Sequence, residues 1–462
     1  MSLRLRGWWI GGLAVLAGVG APSESMTREV QVTSAEHGHI LTNTGVWSPD
    51  GRWVVYDVRS DAAGERFDGT RIEAVDVVTR EVRVLYTSGN GAACGVVTFH
   101  PRAWRVVFIH GPEHPAADWS YGPYHREGTM VDWDRPGVGV PLDARDLTPP
   151  LQAGALRGGS HVHVFSPAGD LVSYTYEDHL LAVADGRGGA ERNQRNVGVS
   201  VPGHPVTVDR GHPRNRDGTA FSVLVTRTTD APRPGSDEIS RAYEEGWVGT
   251  DGYVRGDGTR QRRALAFLGQ VAGTGGRTHA EVFVVDLPED LTRERAGRPL
   301  AGTEKTRPWP PEGCVQRRLT FTGDRPHPGV QGPRHWLRSS PDGSRIAFLM
   351  RDGDGVTQLW TVSPLGGAPR QVTRNPTGIS SAFTWTPDGR AIAHGMDGSV
   401  CLTDAGSGET RRLTERREGE GAPRPEACVV SPDGGRIAYV RRVPGPSGAW
   451  HNQVMVVEGF GD

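Results

Sequence analysis

The chain has 462 residues, 36% of them hydrophobic and 23% charged, a balance that excludes a disordered polyelectrolyte and leaves ample length for a large core. A formal charge of −2 and a pI near 6.8 exclude the basic surface that nucleic-acid binding needs. With 64 Gly and 34 Pro, the composition favours many tight turns over long helices.

Residues 1–25 read as a signal peptide: Arg4 and Arg6 precede an apolar run, and Val19 and Ala21 are spaced for cleavage after Ala21. A real leader predicts a periplasmic or secreted protein; the alternative is translation from Met26 and a cytoplasmic one. No other stretch predicts a membrane span. From residue 28 to 460 the pattern is that of a single domain.

A hairpin then recurs: WSPDGRWVVYDV (47–58), FHPRAWRVVFIHG (99–111), FSPAGDLVSYTYEDH (165–179), SSPDGSRIAFLMRD (339–352), WTPDGRAIAHGMDG (385–398) and VSPDGGRIAYVRRV (430–443). In each, proline presets the first turn position, and in most an Asp-Gly pair closes the loop with a positive φ. A second strand pair follows several copies, as in TQLWTVSPLGGAPRQVT (357–373), so one unit is four antiparallel strands, A to D. The first reads 43–48, 52–58, 71–79 and 81–87.

Between the prolines at 167 and 341 the turn signature lapses. The strand-like runs 220–227, 262–271, 280–287 and 315–321 are assigned to a degenerate fourth unit, with SDEISRAYEEGW in its long A–B connection as a short helix capped by Ser236. The sum is an all-β, seven-bladed β-propeller, with six or eight blades as alternatives. REVQVTS (28–34) resembles the D strands, and the last copy lacks one, so the N-terminal strand is expected to close the ring. Cys94, Cys314, Cys401 and Cys428 share no metal spacing and read as free thiols.

The repeat resembles the TolB-like and WD-repeat-like bacterial propellers. More narrowly, LTNTGVWSPDG, FIHGPEHPAADW, LRGGSHVHVFSP, PGSDEISRAYEEGWVG, VQRRLTFT and PRHWLRSSP resemble the YidR-like family, whose function is unknown. The resemblance implies the propeller fold and no particular chemistry. The leader and the stretch TDGYVRGDGTRQ depart from it.

In a propeller the B–C and D–A connections share one face, and here they hold the surplus length and most of the 16 histidines. His161 and His163, two apart on a strand, should point the same way. With His39 and His335 at comparable positions they are the candidate ligands for one divalent transition metal. The plainer reading is hydrogen bonding between blades. In the loop DWSYGPYHR, Trp119 and Tyr124 offer ring faces, and Asp118, His125 and Arg126 offer polar contacts; the same rings could equally form the loop's own core. Arg59, Arg157 and Asp178 complete the ligand-binding candidates. No GxSxG, GxxxxGK[ST] or HExxH occurs. The expectation is a monomeric binding propeller that presents this funnel to a small molecule, an oligosaccharide or a protein partner. The alternative is a metal-dependent lyase or hydrolase on acidic oligosaccharides, similar in architecture to oligogalacturonate lyase.

Overall fold

The computed structural model describes residues 27–273, 276–333 and 336–460, so the leader and His335 lie outside the described residues. Seven four-stranded antiparallel sheets follow one another as the blades of a propeller. Blade 7 takes Pro423–Val430, Arg436–Pro444 and Trp450–Glu458 from the C-terminus and its outermost strand, Arg28–Gln31, from the N-terminus. Arg28 pairs with Glu458 and Gln31 with Met455, which closes the ring.

The recurring turn works through its side chains. Ser48 Oγ donates to Asp50 Oδ1 at 2.5 Å, while the same hydroxyl accepts from the Trp53 N–H and the carboxylate accepts from the Arg52 N–H. Ser340 with Asp342, Thr386 with Asp388, and Ser431 with Asp433 repeat the device. Where the aromatic before the turn is tryptophan, its indole stitches neighbouring blades. Trp47 donates to Val429 O at 2.9 Å, Trp247 to Val164 O at 3.1 Å and Trp385 to Arg338 O at 2.9 Å.

Two assignments change in the degenerate region. Gly218–Leu224 is the outer strand of blade 3, paired with Asn196–Val206, and not the first strand of blade 4. Ile239–Trp247 is that first strand, paired with Ala264–Ala272, and not a capped helix. Its register shifts twice, so Ile239, Ala242 and Glu245 are its most buried positions, and a three-residue period imitates a helix. The true A–B connection is shorter and carries a small ribbon, Tyr253–Val254 with Arg260–Gln261.

Blades 2, 3 and 4 share a further irregularity. Val96, Val162 and Glu244 take φ of 58°, 57° and 56°, each three residues before the aromatic that ends the strand. Such values are costly for a β-branched residue and mark a bulge in the innermost strand of each blade. The residue that follows is driven inward: Val97 and His163 are 0% exposed and Glu245 3%.

Candidate functional site

The bulge at Val162 overturns the expectation that His161 and His163 point together. His161 pairs with Thr175 and Val164 with Ser173, leaving two residues opposite one, so the alternation is broken between the histidines. His163 Nε2 lies 3.0 Å from Ser160 Oγ, and burial pushes its imidazole down to about 4. His39 lies elsewhere, in the seam between blades 1 and 7. It is 1% exposed, its Nδ1 is 2.7 Å from Asn452 O, and burial lowers it to about 3. Among the described residues no three His, Cys, Asp or Glu side chains are grouped to hold a metal ion. Of the candidate set, His39 stands apart from His161 and His163, and His335 lies outside the described residues.

Three other candidates are spent inside the fold. Arg157, 2% exposed, donates from Nε to Asp178 Oδ2 at 2.6 Å and from its terminal nitrogens to the carbonyls of Ala301, Thr303 and Thr306. Asp178 also accepts from Tyr176 Oη and from the Leu181 N–H, capping the helix His179–Ala184. Arg59 pairs with buried Asp57 at 2.6 Å and stacks on Phe67.

The loop 111–126 builds a small core of its own, one of the two readings that its rings offered. Trp119 is 5% exposed and stacks on His125 at 3.8 Å, and Tyr124 meets the same imidazole edge-on. His125 Nε2 lies 3.0 Å from His179 Nδ1, and its Nδ1 lies 2.8 Å from Ser120 O. Asp118 is exposed at the loop tip.

Arg126 is different. The end of this blade 2 loop folds over the head of blade 3, where the Ser160 N–H donates to Arg126 O. A Cβ on Gly159 would lie 2.4 Å from Pro123 O, which is why Gly-Gly precedes the histidines. The loop sets Arg126 beside His161, where Arg195 and Arg241 also bear on the imidazole. These groups come from a blade 2 loop, the innermost strand of blade 3 and the connection before its third strand, and the innermost strand of blade 4. Burial first, and then the positive neighbours, hold His161 well below the usual histidine range, so it is neutral. Arg195 is paired to Glu177 at 2.6 Å. Among the described residues neither Arg126 nor Arg241 has a carboxylate at ion-pair distance. Arg126 Nε, His161 Nδ1 and Arg241 Nε are all buried without a hydrogen-bond partner. Tyr121 lies under Arg126 at 5.2 Å, and Tyr243 under Arg241 at 4.6 Å.

Arg241 and Tyr243 escaped the sequence reading because RAYEEGW was taken as part of a helix, and Arg195 because it was given no role beside the blade 3 strand that it precedes. The repeat of an aromatic three residues after each bulge was the available signal.

Across the ring axis, blade 5 reaches blade 1. Arg338, on the innermost strand of blade 5, donates to the main-chain and side-chain oxygens of Asn43 in blade 1. Glu245 is 3% exposed and accepts from Thr175 Oγ1 at 2.9 Å. Burial lifts its carboxyl to about 7, partly offset by Thr175 and Arg338. A folded-state value above the unfolded one favours the fold below about pH 4.5, and that contribution is lost as the pH rises through 7. Glu245→Gln should therefore gain stability relative to the native chain between pH 5 and 8, by about 3 kcal/mol at most. Urea midpoints at the two pH values test this, and an equal difference at both would contradict it.

A family model described as a protein of unknown function (DUF3748) matches residues 93–216. The chain is 48% identical over 413 residues to the uncharacterized protein YidR of Escherichia coli strain K12, covering 89% of this chain and 94% of that one. Among solved structures, an oligogalacturonate lyase in complex with manganese superposes with a TM-score of 0.51 at 12% identity, over 93% of this chain and 92% of the other. The oligogalacturonate lyase of Vibrio parahaemolyticus gives a TM-score of 0.52 at 9% identity, over 94% of both chains. At these identities the likeness is one of fold.

Proposed function

The chain belongs to the family of Escherichia coli YidR, and from that premise we propose that it is a ligand-binding propeller whose channel mouth takes a carboxylate-bearing small molecule, an acidic oligosaccharide being the class that suits it. The observation that carries this reading is the convergence of Arg126, His161 and Arg241 from three blades, each with a buried nitrogen that has no partner. Buried polar groups are ordinarily paired, so an unsatisfied set at a channel mouth asks for an acceptor. Guanidinium groups grip carboxylates bidentately, and each of the two rests on a tyrosine ring, Arg126 on Tyr121 and Arg241 on Tyr243, that holds it in place. The likeness to the two lyases supports the architecture, while their chemistry does not transfer by fold.

Calorimetric titration with trigalacturonate, set against the same oligomer with its carboxyls methyl-esterified, tests the reading. Binding should be lost on esterification and weakened roughly 10–100-fold by Arg126→Ala or Arg241→Ala. Equal affinity for the esterified oligomer would refute it. Absorbance near ~235 nm in the same mixtures reports any β-elimination and so decides between binding and turnover.

A further inference from the structure

The other end of the channel has no part in that reading. Beneath the Arg338–Asn43 crossing lies a chamber of about 390 Å³ to which all seven blades contribute. Its size falls within the range of small-molecule sites, and it opens on the face of the A–B turns, away from the arginine cluster. Its wall includes Trp47, Trp247, Trp336, Trp385, Phe99 and Phe165. Three of these indoles have committed their N–H groups to neighbouring strands, so what they present to the chamber is ring surface.

The inner end is polar. Glu245 and Arg338 both line it, and each keeps one buried atom without a partner: Oε1 of the carboxyl, an acceptor, and Nε of the guanidinium, a donor. The two side chains are opposite in charge and act on each other. Above about pH 7, where the carboxyl is ionised, the pair carries no net charge and does not select an ion. The group that satisfies an orphan donor and an orphan acceptor together is a hydroxyl, which is both. Ring surface around a hydroxyl-binding pair describes a polyhydroxylated ring, whose C–H faces pack on aromatics while its hydroxyls reach the polar end.

We infer that the axial chamber is a binding site for a neutral sugar ring, held between the indole wall and the Glu245–Arg338 pair. It is separate from the carboxylate site at the opposite mouth, and either could exist without the other.

Tryptophan fluorescence of the full chain, titrated with methyl β-galactoside and with cellobiose, tests it. At least one probe should give a saturable change and shield the tryptophans from acrylamide. Glu245→Leu should raise the dissociation constant by roughly tenfold or more, since it removes the acceptor that the ligand hydroxyl would meet. Arg126→Ala, at the other mouth, should leave it within about twofold. The acrylamide measurement needs no variant and stands even if Glu245→Leu folds poorly. No saturable change and no shielding with either probe would mean that the chamber holds water only, and the inference fails. It fails equally if folded Glu245→Leu binds as the native chain does, or if Arg126→Ala abolishes the signal.

Discussion

A chain that begins at Ser34 is expected to lose its closed ring, whereas one that begins at Met26 keeps it. The segment between them supplies the outer strand of blade 7, and its contacts are more than a ladder of hydrogen bonds. Val30 and Val32 are buried in the core between blades 7 and 1, worth about 1.5–3 kcal/mol each. Glu29 accepts from Arg441 at 2.7 Å, Arg417 at 3.1 Å and Tyr439, so its removal strips three side chains of one acceptor. Thr33 Oγ1 donates to Gln453 and accepts from the Val454 N–H. The combined loss is on the order of 5–10 kcal/mol, comparable with the whole stability of an ordinary domain. The strand Trp450–Glu458 would then be a bare edge, and bare edges aggregate. Size-exclusion profiles and urea unfolding of the two chains check this. Equal midpoints and equal monomer yields would show that the N-terminal strand is dispensable.

Arg157→Ala is expected to cost about 3–5 kcal/mol, the usual penalty for breaking a buried ion pair from one side. Asp178 would be left 2% exposed without its cation, and the carbonyls of Ala301, Thr303 and Thr306 would lose their donor. Those carbonyls belong to the 28-residue connection between Asp286 and Val315 in blade 4. That connection also buries Leu291 and Leu300 in the core between blades 3 and 4. The variant should therefore show both a lower urea midpoint and faster proteolysis within residues 287–314. A lower midpoint with unchanged cleavage there would mean that Arg157 supports only its own blade. Arg157→Lys should recover little, because an ammonium cannot serve the carboxylate and three carbonyls in one plane.

The residues expected on this face show how a propeller hides its chemistry. Arg126, offered as a polar contact, and His161, offered as a metal ligand, lie beside each other. Arg59 and Asp178, at strand ends, and Arg157, in a connection, are internal fasteners, because each found a charged partner on its own blade: Asp57 for Arg59, and Asp178 for Arg157. His125 and Trp119 likewise found each other within one loop. Among the described residues Arg241 has no carboxylate at ion-pair distance, and it sits in a stretch whose pattern imitates a helix.

Sequence by itself determined the repeat and the closure of the ring, while seven blades over six or eight came from the sheets themselves. Proline, Asp-Gly and a hydroxyl act within five residues of one another, so their spacing along the chain already carries the geometry. Only the tertiary structure decided which histidines and arginines share a place. That depends on a single bulged residue at Val162 and Glu244, which reverses the facing of every side chain after it. It depends also on Arg338 reaching from blade 5 to blade 1, a contact between residues 295 positions apart.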